Sequence, residues 1–495
     1  MIINKSLLQE NINKGIKLFE ENKLEESIKI FNQLREYKET SIFSIFFLGV
    51  IQIKKKKLNA AKKFFFQVLK LDKNHEDTNL NLGLIYLEEK EFNKAENYFK
   101  KVLDINKKNL NALYHLGLVY FFTKKLDLAV NFLNKSINVN ENYIHSYVTL
   151  GHIFLRTKKF NKAIENYKKV LELDPNNLIT YFNLSWCYFA QSNLDEAFEK
   201  YELRPEKISP NGIHKEIIKK YNSTEWDGQD LNGKSILIIR EQGYGDNVNF
   251  FRYLFWLNKK YNVNIIYYSH KKLKHLFENS PFKIITDLNE IKNVDYHKYV
   301  LSLPGIYYKE LRGFQKNINY LKINDEINSK WEKKLNNFKG PIISLSWQGD
   351  RRFIHDDMRS IPLSNFNNIL NIKNLNFISL QKDFGSEQIK LNGYDKILTD
   401  ISDEIDIGNN AFEDTIAILN KVDCVITSDT AIAHLAGVLD VKTYLLLSYN
   451  PEWRWHLELK HKCFYPNMNI LQQPKFGDWN SVFRELEIKI KENFT

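Results

Sequence analysis

The sequence predicts an all-α solenoid followed by a doubly wound α/β region built in two halves. Small residues recur every 34 positions at Gly15, Gly49, Gly83, Gly117, Gly151 and Ser185, the length of one helical hairpin with its turns. Beyond residue 204 that period stops. Short apolar runs then alternate with amphipathic stretches, the pattern of parallel strands joined by helical crossovers. A chain of 495 residues has room for two to four such domains.

Several columns hold the 34-residue phase together. A second small residue follows each marker by twelve positions, at Ser27, Ala61, Ala95, Ala129, Ala163 and Ala197, and Leu48, Leu82, Leu116 and Leu150 precede four of the glycines. Small residues let two helices of a hairpin approach closely. Aromatics occupy the first helices at Tyr86, Tyr120, Phe154 and Tyr188 and the second at Phe31, Phe65, Phe99, Tyr167 and Tyr201, with Pro175 closing one unit. On these columns residues 1–204 are identified as about six tetratricopeptide repeats, a protein-binding scaffold. Residues 205–230, with Pro205, Pro210, Gly212 and Gly228, read as a connector holding one short helix around Lys215 to Tyr221.

The first α/β half is expected over 231–325. Ser235 to Arg240, Val263 to Tyr268, Phe282–Ile285 and Lys298–Leu303 are its strand candidates, with helices after Asp246 and at Lys271 to Glu278. A linker near 322–340 leads to a second half, 340–495. Its strands are expected at Ile342 to Trp347, Asn376 to Leu380, Val422 to Thr427 and Thr443 to Leu447. Its helices are expected at Ser364–Ile369, Glu413–Leu419, Ala431–Leu439 and, terminally, Trp479 to Lys491. Two such halves place a ligand crevice at the carboxyl ends of their strands.

The net charge of +11 lies mostly in the repeats, with 32 basic against 24 acidic residues in 1–204 and 39 against 36 in the remainder. The lysine runs fall at hairpin turns and helix ends, so they read as a solvated face, and no nucleic acid partner is expected. Cys187, Cys424 and Cys463 form no CxxC or Cys/His cluster, which points away from disulfides and structural zinc and toward a reducing compartment. Ile42 to Ile53 is too short an apolar stretch to span a bilayer, and the start of the chain lacks a signal-peptide core. A cytoplasmic protein without a transmembrane segment is expected.

Two segments carry candidate chemistry. Gly243-Tyr-Gly245 follows a strand as in a dinucleotide fingerprint, but Val248 stands where the third glycine belongs, and no acidic residue ends the next strand. A hydride-transfer enzyme is disfavoured. Asp246, near the first turn of a helix, reads as a carboxylate held ionised by the helix dipole and able to act as a general base, or simply as an N-cap. In the second segment a strand ends at Thr427, Ser428-Asp429-Thr430 turns, and a helix opens whose N–H groups suit a diphosphate. His434 lies one turn inside; a lone His there is more often packed than reactive.

From about Trp226 onward the chain resembles the tetratricopeptide-repeat glycosyltransferases related to glycosyltransferase family 9, the heptosyltransferase family. The resemblance rests on Glu241-Gln-Gly-Tyr-Gly-Asp-Asn-Val-Asn-Phe-Phe-Arg-Tyr253, Leu301-Ser-Leu-Pro304, Leu345-Ser-Trp-Gln-Gly349, Arg359-Ser-Ile-Pro-Leu363, Ser379-Leu-Gln381, Ser428-Asp-Thr-Ala-Ile-Ala-His-Leu-Ala-Gly437 and Trp453-Arg-Trp455. It implies a two-Rossmann GT-B fold and a metal-independent, inverting transfer of sugar from a nucleotide-sugar donor, with no cofactor. The acceptor would be a protein, peptide or glycan engaged with help of the repeats, which would also bind a protein partner.

By the same resemblance Asp246 corresponds to the inverting base, and Asp429, Thr430 and His434 to donor-contacting positions, with Ala431 where heptosyltransferases usually have glycine. Gly243, Gly245 and Ser360 join the donor-binding set, Arg359 would neutralise the diphosphate, and Gln381 falls near the ribose-reading position. Trp453 and Trp455 are expected either to stack on a ligand or to pack under the final helix. Asp356-Asp357 is expected to be a solvated pair rather than a metal site. The alternative function is a non-catalytic repeat adaptor with a degenerate nucleotide-sugar-binding GT-B domain. A third is an epimerase or hydrolase on the same fold.

Overall fold

The computed structural model describes residues 5–204, 207, 213–352, 356–461 and 464–495. Pro205, Pro210, Gly212 and Cys463 lie outside the described residues. The chain divides into two compact units, Met1–Ile153 with Glu165–Pro175, and Phe154–Ile164 with Asn176–Thr495.

The first unit is made of helical pairs: Lys5–Glu20 with Leu24–Leu34, Ser41–Lys54 with Leu58–Leu71, Glu76–Glu88 with Phe92–Ile105, and Leu110–Phe122 with Leu126–Val139. Its marker glycines give room to a side chain of the second helix. A Cβ on Gly49 would lie 2.5 Å from Phe65, on Gly83 2.6 Å from Phe99, and on Gly151 2.3 Å from Tyr167. Those three rings are completely buried, so the 34-residue period records a steric requirement of close packing. The turns carry the same period in the backbone: Asn22, Lys56, Lys90 and Lys124 adopt left-handed conformations, as do Lys158 and Ser192 further along. Lys57 N–H returns to the Gln52 carbonyl at 2.9 Å, and Lys125 N–H to that of Tyr120 at 2.8 Å. These bonds close the helix ends in Schellman fashion, and the turn lysines sit there.

After the segment Phe154–Ile164, the second unit contains the last helical pair of the repeat series, Leu178–Gln191 and Leu194–Tyr201, and the connector helix Ile213–Tyr221. Two wholly parallel sheets follow. The first contains β1 (Thr224–Glu225), β2 (Ser235–Ile239), β3 (Asn264–Tyr268), β4 (Lys283–Ile285) and β5 (Tyr296–Tyr299) in the order β1-β5-β2-β3-β4. The second contains β6 (Ile342–Ser346), β7 (Asn376–Ser379), β8 (Thr399–Asp400), β9 (Cys424–Ser428), β10 (Thr443–Leu447) and β11 (Met468–Gln472) in the order β11-β10-β9-β6-β7-β8. Counted from β6, that is the doubly wound order 3-2-1-4-5-6. Its central strands β6, β9 and β10 are buried throughout, as strands covered on both faces must be.

Several expectations are corrected. The helical series runs on to Leu194–Tyr201, and its last pair belongs with Phe154–Ile164 to the second compact unit, where Phe189, Phe198 and Tyr201 share a core with Phe250 and Trp453. Strand β5 ends at Tyr299, because the apolar run after it winds into a 3-10 turn and the helix Leu303–Leu311, whose first turn tolerates Pro304. Lys271–Phe277 is 3-10, and Ser364–Ile369 is split between a 3-10 turn, Leu363–Phe366, and the short helix Asn367–Leu370. The expected linker holds a helix, Asp325–Leu335, whose Trp331 Nε1 donates to Asp414 Oδ1 at 2.6 Å. The terminal helix Trp479–Phe494 is as expected.

Candidate functional site

Between the two sheets of the second unit lies a crevice of about 610 Å³. Its wall is assembled from segments that follow parallel strands: Gln242 to Asp246 after β2, His270 after β3, Gln348 to Asp350 after β6, Leu380 to Phe384 after β7, Asp429 to His434 after β9, and Arg454 after β10. In both sheets the chain reverses its direction of winding at the first central strand, β2 or β6. Carboxyl-end loops diverge at such switch points and leave room for a ligand. Gly243, Gly245, Asp246, Arg359, Gln381, Asp429, Thr430, Ala431 and His434 all line this crevice; Ser360 does not.

The loop after β2 ends in the helix Tyr244–Phe250, and its N-cap is Gly243, not Asp246. Asp246 stands three residues on, with Oδ2 accepting the Gly243 N–H at 3.0 Å, the return half of a capping box. Its Oδ1 is ion-paired with the Arg454 guanidinium, and Arg454 Nη1 lies 2.6 Å from Glu452 Oε1. Burial pushes the Asp246 carboxyl above its ordinary value, Arg454 and the Gly243 N–H oppose that rise, and Asp429 adds to it. Burial therefore works against the helix end that was expected to keep this carboxylate ionised. Glu452 is pushed up to about 8 by burial, against Arg454 and with the help of Asp429 and Asp246.

Gly245 is needed for contact between the halves. A Cβ there would lie 2.8 Å from His434 Cδ2 and 3.3 Å from Ala431 Cα, so helix Tyr244–Phe250 meets helix Ala431–Val438 with little space between them. His434 is fixed on its other sides. Its Nδ1 bonds the Tyr465 hydroxyl at 2.9 Å, and its ring stacks on Trp455 at 4.8 Å and 8°. Burial, then Arg454 and Arg252, hold its pKa far below the ordinary histidine value, so the imidazole is neutral. Thr430 is the N-cap of helix Ala431–Val438, its side chain makes no capping bond, and Asp429 adjoins it on the crevice wall.

The loop after β6 is braced from within. Asp356 accepts from Arg359 Nε at 3.0 Å and from Ser360 Oγ at 2.8 Å, and Gly349 N–H donates to Ser360 Oγ at 3.1 Å. Asp356 is thus a buried brace rather than a solvated carboxylate, and Ser360 shapes the loop that presents Arg359. Gln381 is also engaged internally: its Oε1 accepts from Trp347 and Gln348 N–H, and its Nε2 donates to the Gln348 and Phe384 carbonyls. All the ordinary capacity of that amide is used, so it sets loop geometry instead of reading a ribose.

Arg454 and Glu452 escaped the sequence reading, although Arg454 lay between two tryptophans already singled out. Those tryptophans are packed, not presented. Trp453 is sandwiched between Phe189 at 4.5 Å and Phe250 at 5.6 Å, and Trp455 lies under His434. A second signal is conformational. Gln242, Asp383, Asp406 and Phe412 line the crevice with positive φ, and for Phe412, at +67°, that is a costly backbone state. Such strain concentrates at functional sites.

Tetratricopeptide repeat models match residues 44–75, 86–147, 146–177 and 166–199, so the chain carries tetratricopeptide repeats, a protein-interaction scaffold. Protein FlbA of Caulobacter vibrioides is 22% identical over 289 residues, covering 54% of this chain and 48% of that protein. The chain therefore spans about half the length of the curated relative it matches. Among solved structures, MamA is 28% identical with a TM-score of 0.31, covering 32% of this chain and 94% of that one. Pseudomonas aeruginosa pilF is 16% identical with a TM-score of 0.38, covering 43% and 97%. No helix among the described residues is long and apolar enough to cross a membrane.

Proposed function

We propose that the second unit is a GT-B glycosyltransferase of the family 9 type, moving a sugar from a nucleotide donor to an acceptor recruited through the repeats. The reading is carried by one observation: nine residues singled out in separate stretches between 243 and 434 line a single crevice at the carboxyl ends of two parallel sheets. Their chemistry divides by side. Asp246 supplies a carboxylate whose basicity is raised by burial, suited to removing the proton from an attacking hydroxyl. Across from it, Arg359 and the helix opening at Thr430 offer positive charge and N–H donors to a leaving diphosphate, so the reading needs no metal ion. His434, held neutral and stacked, acts as a wall and a fixed dipole rather than a proton carrier.

A thermal-shift screen of nucleoside diphosphates and their sugars tests this reading, because a ligand bound only by the folded state raises stability by mass action. A rank order among bases, followed by transfer from the best donor to a supplied acceptor, is expected. Binding without transfer would favour the non-catalytic adaptor, and no binding of any nucleotide would refute both.

A further inference from the structure

Arg454 is nearly buried in the crevice wall, and its two terminal nitrogens face two different carboxylates: Nη2 meets Asp246 Oδ1, and Nη1 meets Glu452 Oε1 at 2.6 Å. Its own backbone N–H donates to Glu452 Oε2 at 3.0 Å. Glu452 thus faces the guanidinium with one oxygen and accepts the Arg454 backbone N–H with the other. Next to it Trp453 is wedged between Phe189 and Phe250, and on the other side Trp455 is stacked under His434. A planar guanidinium anchored in this way carries both position and charge to its partners.

We infer that Arg454 is the positioning residue of this site, a two-armed clamp that orients the Asp246 carboxylate and sets its basicity by sharing one positive charge between Asp246 and Glu452. The inference rests on the glycosyltransferase reading only for what the carboxylate is used for. Gly243 N–H donates to Asp246 Oδ2, and the Arg454 guanidinium faces Oδ1 as an ion pair without a hydrogen bond, so one oxygen is fixed in direction and the other is held by charge with its lone pairs left for a proton.

The other charged and titratable groups around Asp246 belong to every element that packs there. Asp429 comes from the turn after β9, Glu241 from the crevice loop, Tyr201 from the last helical pair and Tyr267 from β3; neutral His434 lies across from Gly245. Arg252, the other cation against His434, donates its Nη1 to the Phe464 carbonyl. Glu241 is occupied by Arg204, which meets its Oε1 through Nε at 2.8 Å and its Oε2 through Nη2 at 2.6 Å. Arg454 is therefore the cation in contact with the Asp246 carboxylate among the described residues.

The test titrates carboxyl carbons in the full chain labelled at Asp and Glu side chains, with the Asp246 signal assigned by its loss in Asp246→Asn. In Arg454→Gln the Asp246 midpoint should rise by about one to three pH units, the effect of withdrawing an adjacent opposite charge. Reciprocally, in Asp246→Asn the Glu452 midpoint should fall by about a pH unit or more, since it loses a negative neighbour and keeps the clamp for itself. If Arg454→Gln does not fold, the Glu452 midpoint in Asp246→Asn decides alone. An unmoved midpoint in either measurement overturns the clamp. Neither needs turnover, so a protein that transfers no sugar would refute the enzymatic reading while leaving the clamp readable. Where transfer is measurable, Arg454→Gln should move the acid limb of the kcat profile to higher pH and leave donor KM within about threefold, a split that general loosening of the crevice would not produce.

Discussion

Asp246→Asn separates chemistry from architecture. The amide keeps the size of the carboxylate, and its oxygen still accepts the Gly243 N–H at the helix start. It cannot take a proton from an attacking hydroxyl, so turnover should fall by roughly 10²–10⁴. Stability should fall too. The contact at Oδ1 is an ion pair in a buried wall, and breaking a buried pair outright costs about 3–5 kcal/mol. Here Arg454 keeps Glu452 at 2.6 Å, so the loss is nearer that of one charged hydrogen bond, about 1.5–3 kcal/mol. Melting of the second unit should drop by several degrees, while nucleotide affinity, carried across the crevice by Arg359 and the helix at Thr430, stays within about threefold. Transfer rate, calorimetric donor affinity and melting are read on one preparation. Turnover within tenfold of the parent, with donor binding intact, would refute Asp246 as the base.

Arg359→Ala should weaken nucleoside-diphosphate binding by roughly 1.5–3 kcal/mol, about 10- to 150-fold, and lower melting as well, since it takes from the buried Asp356 its cation at 3.0 Å; unchanged affinity by calorimetry would remove it from the site. Gly151→Ala should destabilise the first unit more than Gly117→Ala, because the new methyl meets the Tyr167 ring at 2.3 Å in one case and the more pliable Leu133 at 2.9 Å in the other. Equal melting of the two variants would contradict the packing. His115, whose Nδ1 is buried without a bond in the first unit, is pulled down to about 4 by burial, with His145 adding to it. Its neutral form stabilises the fold fully above the unfolded value near 6.5, and that contribution disappears as pH falls through 4. His115→Phe should flatten the acid side of the stability profile between those values, and an unaltered slope there would argue against burial as the cause.

The repeats were legible because their constraint is local and repeated. A glycine in one helix and a large side chain sixteen residues on in the next must coexist in five successive hairpins, so the same spacing returns along the chain. The central strands β2, β6, β9 and β10 were legible as short apolar runs, since strands covered on both faces have no polar side to interrupt them. The edge strands β1 and β8, two residues each, carried no such pattern. Nor did the sequence show that the last helical pair shares a core with Trp453 and Phe250. Domain membership depends on which faces meet, and chain position does not report that.

The site divides in the same way. The sequence by itself determined which residue types stand at strand ends and helix starts, so Asp246, Arg359, Asp429, Thr430 and His434 could be named as candidates. Only the tertiary structure decided their states. Gln381 is consumed by loop bonds, Trp453 and Trp455 are packed, and Asp246 is a capping-box member rather than a cap. Its carboxyl is pushed up by burial and opposed by Arg454, 208 positions away. Charge and hydrogen-bond capacity are properties of surroundings: desolvation and a guanidinium a few ångströms distant shift a carboxyl by more than its neighbours in sequence can, and those surroundings exist only once the two halves have closed on each other.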